Sequence, residues 1–338
     1  MYWPRVLLAV VAVCAAAGAG LAGGYRYALR PVQSDGLSAE IAVFEIRRGE
    51  SLSEVAFDLE ARGLIRSALA MHLYVRAGSL AAKLKVGEYE LARNLSTPEI
   101  ARILASGRVR THSIVIPEGS RALEIADRLA AAGLAEREDF LALVFDPESP
   151  KRFAVSGPTL EGYLFPDTYR FAKGLTADQI AEAMVDEFRE VYRGLRAGSP
   201  NEQLSMRELV TLASIVEKET GAPGERPLIA AVFLNRMRLG MRLETDPTVI
   251  YGIADFDGNL RRVHLEDDGN PYNTYRIPGL PPGPIASPGR DALEAVLEPA
   301  ESPFLYFVSR NDGTHVFSKT YREHARAVVQ YQKQRRRH

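Results

Sequence analysis

The chain has 338 residues, of which 46% are hydrophobic and 25% are charged, and its formal net charge is −1. This composition indicates a folded protein with a sizeable core, long enough for roughly two domains, and excludes a disordered chain. The balanced charge gives no electrostatic support for nucleic-acid binding, and a single cysteine, Cys14, excludes a disulfide framework or a cysteine metal site.

The first predicted element is the uncharged stretch VLLAVVAVCAAAGAGLAGG at positions 6–24. Its length is about that needed to cross the hydrocarbon core of a bilayer. We therefore predict a transmembrane anchor over residues 6–28, preceded by a short cytoplasmic end at 1–5. The alternative is a cleaved signal peptide, because the small residues at 17–20 could form a cleavage site. In both cases the rest of the chain is predicted to lie outside the cytoplasm.

A polar stretch at 31–40 is predicted to be a linker, and a small α/β unit is predicted after it. The unit begins with a strand, a glycine turn and a capped helix, and it continues with a second helix and the candidate closing strand KVGEYEL. This order, with the motif GESLSEVA at 49–56, resembles a LysM module, which is a small glycan-binding fold. The sequence therefore predicts a LysM-like glycan-binding subdomain over residues 41–110.

The segment at 44–65, FEIRRGESLSEVAFDLEARGLI, has a similar counterpart at 114–135, IVIPEGSRALEIADRLAAAGLA. The matched positions include Gly49 with Gly119, Val55 with Ile125, Leu59 with Leu129, and Gly63 with Gly133. A constant offset of 70 residues suggests a supersecondary unit that is used twice. The alternative is coincidence, because strand, glycine, helix and glycine often follow one another.

The remaining elements are predicted from hydrophobic periodicity and turn residues. They are a helix near 177–192, a helix over 205–220, a loop-rich run at 270–289, a hairpin at 305–318 and a final helix from about 320. Histidines 264, 315 and 324 lack the spacing of metal ligands, and the HExxH, P-loop and GxGxxG patterns are missing. No metal and no cofactor are therefore predicted.

The helix over 205–220 carries two glutamates, Glu217 and Glu219, in the stretch TLASIVEKETG. A step of about 100° per residue places Glu217 beside Val210 and Ala213 on the apolar side. The same step turns Glu219 toward Glu208, on the opposite side. A carboxyl among apolar side chains is harder to ionise, so Glu217 could stay protonated and act as a general acid on a glycosidic oxygen. The alternative is a structural glutamate that is paired with a nearby arginine.

Six stretches, in this order, resemble the endolytic murein transglycosylases of the YceG-like (MltG) type. They are PEGSRALEIA, LEGYLFPDTYRF, LASIVEKET, VFLNRMRLGMRLETDPTVIYG, YNTYRIPGLPPGPIASPG and YFVSRNDGTHVFSKTYREH. They cover nearly all of residues 117–324. With the elements above, the resemblance implies an α+β protein with one N-terminal transmembrane helix, the LysM-like α/β module, and a mixed α+β catalytic domain over 111–338.

The resemblance also implies roles for single residues. Glu217 would be the catalytic acid of a lyase that cuts between N-acetylmuramic acid and N-acetylglucosamine within a strand. The cut would leave 1,6-anhydro ends and would limit the elongation of nascent strands. The implied substrate-binding residues are Thr245, Asp246, Tyr251, Asn273, Thr274 and Tyr275. Aromatic rings can stack on sugars, while amides and hydroxyls can bind polar groups, but each residue could also be a structural loop contact.

The implied partners are peptidoglycan glycan strands, the membrane and, as candidate protein partners, peptidoglycan synthases. The implied location is the bacterial inner membrane, crossed once, with the catalytic domain on the periplasmic side. One rival function is a hydrolytic muramidase, which needs a second carboxylate such as Asp246 or Glu161. Another rival is a non-catalytic, membrane-anchored protein that binds the wall.

Overall fold

A computed structural model describes residues 3–33, 40–80, 84–198, 203–220 and 222–333. The chain divides into two compact units. The first unit is Met1–His112 with Arg170–Leu175, and the second unit is Ser113–Tyr169 with Thr176–His338. Most of the predicted linker, residues 34–39, lies outside the described residues, as do the first two residues of the predicted cytoplasmic end.

The N-terminal apolar stretch forms one long helix, α1 (Trp3–Ala28). Its segment Leu7–Ala28 has a mean hydropathy of 2.1, and its most apolar part is not buried by other described residues. A helix of this length and composition can cross a bilayer. The described residues therefore contain one N-terminal helix that is consistent with a single-pass anchor, and a signal sequence would have the same features.

The rest of the first unit is built around two antiparallel strands with helices packed against them. Its elements are β1 (Ile41–Ile46), α2 (Leu52–Ala61), α3 (Ala68–Ala77), β2 (Gly87–Ala92) and α4 (Thr97–Ser106). In the β1–β2 register, Ile41 is opposite Ala92 and Ile46 is opposite Gly87. Buried apolar side chains from all five elements form a single core. The order strand, helix, helix, strand is the predicted one, and glycan binding by this unit stays a prediction.

The second copy of the repeated segment has the same order of elements. It contains β3 (Thr111–Val115), α5 (Ala122–Ala131), α6 (Arg137–Phe145), the short helix α7 (Ser149–Arg152), β4 (Thr168–Ala172) and then α8 (Ala177–Gly198). β3 and β4 pair in a two-stranded sheet. The helix-ending glycines have nearly the same left-handed φ, +65° at Gly63 and +63° at Gly133. Each is followed by a leucine whose N–H donates to a leucine carbonyl in the preceding helix.

The repeat extends further than the sequence comparison recognised. The stretch LARNLSTPEI leads from β2 into α4, and the similar stretch FAKGLTADQI leads from β4 into α8. Ile100 and Ile180 are both fully buried in these two helices. The offset here is 80 residues instead of 70, because the connection between α6 and β4 is longer than that between α3 and β2. A comparison at one fixed offset therefore misses the second half of the unit.

The remainder of the second unit is mainly helical and ends in a hairpin. Its elements are α9 (Met206–Glu219), α10 (Arg226–Arg238), α11 (Asp246–Tyr251), α12 (Arg262–Leu265), α13 (Arg290–Leu297), β5 (Tyr306–Ser309), β6 (His315–Ser318) and α14 (Tyr321–Val328). The hairpin register pairs Tyr306 with Ser318, as expected for a turn at Asn311 to Gly313. Helices with short sheets in the described parts of both units confirm the predicted α+β class.

Helix α9 forms the centre of the second unit, where α10, α11 and α13 pack around it. A capping box fixes its start, because Ser205 accepts from the N–H of Glu208 and the Glu208 carboxylate accepts from the N–H of Ser205. Residues 209–216 are all buried, so the helix is enclosed on every side and not only along one apolar arc. Glu217 and Glu219 lie at its C-terminal end, where the chain returns toward the surface.

Candidate active site

Three elements meet at the carboxylate of Glu217. Its Oε1 is 3.1 Å from Nη2 of Arg226, the first residue of α10, and its Oε2 accepts from the N–H of Gly289 at 3.0 Å. Gly289 immediately precedes α13. The Glu217 and Arg226 side chains are only 7% and 8% exposed. The arginine that the sequence analysis considered as an alternative is thus present, and both carboxylate oxygens have a donor.

The same guanidinium also faces two other carboxylates. Oε2 of Glu118 lies 3.7 Å from Nη2 of Arg226, and Oδ2 of Asp291 lies 3.8 Å from its Nη1. Burial, followed by the negative charge of Glu217, raises the pKa of Glu118. A Cβ atom on Gly289 would stand 2.0 Å from Oε1 of Glu118. A glycine at this position therefore lets the Glu118 carboxyl approach the backbone.

Glu118 belongs to a turn in the segment PEGS that hydrogen bonds hold from two sides. The N–H of Gly119 donates to the carbonyl of Ser287 at 2.8 Å, and the N–H of Ser287 donates to the carbonyl of Ser120 at 2.9 Å. Nζ of Lys218 donates to the carbonyl of Gly119 at 3.1 Å. Gly119 has a φ of +71°, which glycine adopts with little strain. The turn thus connects the end of α9 to the loop before α13.

Glu219 lies in a different environment from Glu217. Its carboxylate accepts a hydrogen bond from the hydroxyl of Thr245. Burial raises the pKa of Glu219 to about 7, against the opposing effect of this hydrogen bond. It lines a pocket of about 380 Å³ together with Asp246 and Tyr275. The helical step turned Glu219 away from Glu217, and the structure adds that Glu219 contacts Thr245, immediately before α11, and is not a solvated charge.

Glu161, a candidate second carboxylate in the sequence analysis, is 2% exposed and sits at the start of α5. The N–H of Ala122 donates to its Oε1 at 3.0 Å and to its Oε2 at 3.2 Å. The hydroxyl of Tyr251 donates to Oε2 at 3.3 Å. Burial raises the pKa of Glu161 to about 7, against the opposing effect of these hydrogen bonds and of Arg121. Its contacts are those of a helix cap.

Three of the predicted substrate-binding residues are almost wholly enclosed by protein. Thr245 is 2% exposed, and Asn273 and Thr274 are 0% exposed. The amide nitrogen of Asn273 donates to three backbone carbonyls in the preceding loop, at 2.8–3.2 Å. The hydroxyl of Thr274 accepts from the N–H of Thr245 at 3.1 Å and lies 2.8 Å from the hydroxyl of Thr248. These side chains hold the loop together, and their contact with sugar stays a prediction.

Of the other three predicted residues, Asp246 and Tyr275 contact each other, and Tyr251 contacts residues that were not predicted. Tyr275 donates its hydroxyl to Asp246 at 2.7 Å, and both line the pocket beside Glu219. The ring of Tyr251 lies under the guanidinium of Arg121, 4.8 Å from the ring centre, and 4.7 Å from the ring of Tyr272. Asp246 and Tyr275 are thus beside a cavity, whereas Tyr251 is near Glu161. Their part in binding substrate stays a prediction.

Comparison with known proteins identifies the family. The sequence profile of the YceG-like family matches residues 44–330. The chain belongs to the YceG-like family. It is 32% identical over 330 residues to an endolytic murein transglycosylase of Bacillus subtilis (strain 168), covering 92% of this chain and 91% of that protein. It is 28% identical over 340 residues to one of Streptococcus pneumoniae (strain D39), covering 91% of this chain and 62% of that protein.

A solved structure of the YceG-like family has the same fold. It is the 2.6 Å crystal structure of a YceG-like protein from Listeria monocytogenes, which is 35% identical and superposes with a TM-score of 0.59. The superposition covers 86% of this chain and 100% of that chain. The predicted resemblance to YceG-like transglycosylases is therefore confirmed by sequence and by structure.

Three residues that surround Glu217 were not predicted from the sequence, namely Glu118, Arg226 and Asp291. Glu118 lies in the quoted motif PEGSRALEIA, but its position beside Glu217 depends on a turn that brings distant segments together. Arg226 is the first residue of α10 and Asp291 is the second residue of α13, and both helices pack on α9. Nothing in their local sequence indicates that they meet one another.

Proposed function

We propose that this chain is an endolytic murein transglycosylase, which cuts peptidoglycan glycan strands internally without using water. The observation that carries this proposal is the similarity to the Bacillus subtilis transglycosylase over nearly the full length of both proteins. Shared fold alone would be a weak argument, because one fold can host many activities. The stretch IVEKET, which carries Glu217, is one of the six stretches on which the sequence resembles this family.

In the proposed reaction, Glu217 first gives its proton to the glycosidic oxygen between N-acetylmuramic acid and N-acetylglucosamine. The bond from that oxygen to the muramic C1 breaks, and positive charge develops at C1. The acetamido group of the sugar stabilises this centre, so a second protein carboxylate is not required. Glu217, now ionised, takes the proton of the muramic 6-hydroxyl while its oxygen bonds to C1. The two products together have the mass of the substrate, and Glu217 is protonated again.

The surroundings of Glu217 support the ionised state through which it passes between the two steps. Between the steps it carries a negative charge, and Arg226 and the N–H of Gly289 are placed to stabilise that charge. The N–H of Gly289 is fixed by the backbone, so it needs no reorganisation during the reaction. The proposed roles of Asp246 and Tyr275 as sugar contacts are supported by their position at the pocket beside Glu219.

The proposal also includes a location and a division of labour. Helix α1 would anchor the protein in the bacterial inner membrane, with the second unit on the periplasmic side. Residues 41–110 would bind glycan as a LysM-like subdomain, and residues 111–338 would cut it. Peptidoglycan synthases are the proposed protein partners, because an enzyme that ends nascent strands must act where strands are made.

The decisive experiment compares Glu217→Gln and Glu219→Gln on purified glycan strands. Glu217→Gln keeps the shape of the side chain and removes its titratable proton. We expect it to lose at least 10²–10⁴-fold in turnover, the usual contribution of general acid–base catalysis. Glu219→Gln should lose far less, because in the proposal it transfers no proton. Mass spectrometry should find 1,6-anhydro ends, which are one water lighter than hydrolytic products.

Folding controls make each outcome informative. Circular dichroism and melting temperatures should show that both variants are folded, and Glu294→Gln, an exposed carboxylate on α13, serves as a matched control. A folded Glu217→Gln variant with near-normal turnover would refute the assignment. If only Glu219→Gln lost activity, Glu219 and not Glu217 would be the catalytic acid. Products that contain one added water would instead indicate a muramidase.

A further inference from the structure

Arg226 is the centre of an unbalanced cluster of charges. Its guanidinium faces the carboxylates of Glu217, Glu118 and Asp291 at 3.1, 3.7 and 3.8 Å. If all three acids were ionised, the cluster would carry a formal charge of −2. Like charges at such distances disfavour one another, and a single cation cannot neutralise all three. The proton affinity of each acid therefore depends on the charge of the other two.

The proposed chemistry makes this dependence important. The first step needs a protonated Glu217, whereas an arginine at 3.1 Å by itself favours the ionised form. The second step needs the ionised form. Arg226 alone would thus help the second step and hinder the first. Glu118 and Asp291 oppose this bias, because negative neighbours make it easier for Glu217 to hold a proton.

We propose that Arg226 is a positioning residue whose charge is divided between Glu217 and the two outer carboxylates, Glu118 and Asp291, and that these two acids let Glu217 hold the proton needed for the first step. This inference rests on the proposed function of Glu217 as the acid. It assigns roles to residues outside the stretch IVEKET, none of which needs to touch the reacting atoms.

The exposure of the three acids differs in the way that this role requires. The side chain of Glu217 is 7% exposed, whereas those of Glu118 and Asp291 are 49% and 63% exposed. Water can therefore stabilise the outer acids in their ionised state while Glu217 is protonated, and it does so more for Asp291 than for Glu118, whose pKa is raised by burial. The Nε atom of Arg226 is buried and has no hydrogen-bond partner among the described residues. Its guanidinium is thus held only through its two terminal nitrogens, which face the competing acids.

The other charged groups around this end of α9 are accounted for. Lys218 donates to the carbonyl of Gly119. Asp246, at the start of α11, interacts with Glu219. Glu294 and Glu298 of the α13 region line the same surface pocket as Arg226 and Asp291. These groups complete the charged surroundings. Asp139 is the matched control, because it is an exposed aspartate in the first turn of α6, as Asp291 is in the first turn of α13.

The test is the pH dependence of kcat/KM in the full-length protein. Glu118→Gln and Asp291→Asn remove negative charge that opposes Arg226, and the remaining positive charge favours a carboxylate over a carboxylic acid. The alkaline limb of the profile should then move to lower pH, by roughly half a unit for each variant, because water screens partly exposed acids. The double variant should shift further. Arg226→Gln should move the alkaline limb in the opposite direction, to higher pH, and should also lower the maximal rate.

Opposite shifts separate this role from a merely structural one. A structural defect would lower the rate at every pH and would leave the midpoint of the limb in place, as should the control Asp139→Asn, which changes an exposed aspartate in the first turn of α6. Melting temperatures identify any variant that does not fold, and the exposed position of Asp291 makes Asp291→Asn the safest test. Unshifted profiles for folded Asp291→Asn and Arg226→Gln, with Glu217→Gln inactive, would overturn this inference and leave the proposed function intact. An active Glu217→Gln would instead overturn the proposed function itself.

Discussion

At the scale of single residues, burial raises the pKa values of Glu161 and Glu219, both in the second unit, to about 7. Sequence periodicity separated Glu217 from Glu219 by their angle around α9, and this reasoning requires a helix with one buried side. Helix α9 is enclosed on all sides, so angle alone could not say which acid is buried or what it contacts. The motif IVEKET directed attention to the C-terminal end of the helix, but the partners of each acid depend on tertiary structure.

Glu161 should make the stability of the protein depend on pH. Its pKa is 4.5 in an exposed chain and about 7 in the fold, so folding favours its neutral form. Its contribution to stability is complete below pH 4.5 and is lost as the pH rises through about 7. Glu161→Gln stays neutral and can still accept from the N–H of Ala122. We therefore expect the variant to match the parent at pH 4.5 and to be more stable at pH 8, by about 2–3 kcal/mol.

Urea unfolding at several pH values measures this difference directly. Glu294→Gln is a suitable control, because Glu294 is exposed and its replacement should leave the pH dependence of the parent unchanged. The same pH dependence in the parent and in Glu161→Gln would mean that Glu161 is already ionised in the fold at neutral pH.

At the scale of elements, helix ends could be predicted where capping side chains or a glycine next to the helix determine them. The capping boxes at Ser51, Ser205 and Thr320 and the glycine at position 63 coincide with helix ends in the structure. The second half of the repeat was missed, because a change in connection length breaks a fixed sequence offset. The loop-rich run at 270–289 was also beyond local reasoning. Its conformation depends on contacts with residues far away in the chain, such as those between Ser287 and the turn at 119–120.

Gly162, in the segment LEGYLFP, lets this segment pack against the loop-rich run at 270–289. Gly162 has a φ of +86°, and an added Cβ atom would stand 2.3 Å from Cβ of Pro284. The proline ring is rigid, so the backbone would have to move. Gly162→Ala should lower the free energy of unfolding by about 2–4 kcal/mol, through overpacking and backbone strain together.

Gly258→Ala is the matched control for this substitution. Gly258 has a φ of +89°, but an added Cβ atom would meet no described atom within 4 Å. It should therefore show the backbone strain alone, about 1 kcal/mol. Equal losses of stability in the two variants, measured by urea unfolding, would show that the approach of Pro284 to Gly162 is not limiting.

At the scale of the whole molecule, helix α1 decides where the enzyme works. If it is an anchor, the intact protein should remain in the membrane fraction after washes with high salt and be released only by detergent. Protease added on the outer side should digest the second unit. Val11→Lys should weaken membrane retention, because a lysine near the centre of a spanning helix costs about 2.5–3.5 kcal/mol. Release of a soluble form that lacks the apolar stretch would identify a signal peptide.

The division into two units leads to the final prediction, on what each unit contributes. Residues 170–175 belong to the first unit, where Nζ of Lys173 is 2.7 Å from Oε1 of Glu88 and Gly174 lies close to Val86. Deleting residues 41–110 would expose this segment and remove its ion-pair partner. We therefore expect the shortened protein to melt at a lower temperature, to bind intact cell wall more weakly, and still to cut soluble glycan strands.

Glu88→Gln in the full-length chain separates the loss of this ion pair from the loss of the whole unit. It should lower the melting temperature by less than the deletion does, and it should leave binding to the wall unchanged. Binding to isolated cell wall, melting temperature and the release of anhydro ends can be measured on all three proteins. If the deletion abolished folding, the two units would share one cooperative core, and glycan binding could not be assigned to residues 41–110 by this route. If instead the shortened protein folded and bound the wall as tightly as the parent, the second unit alone would hold the strand that it cuts.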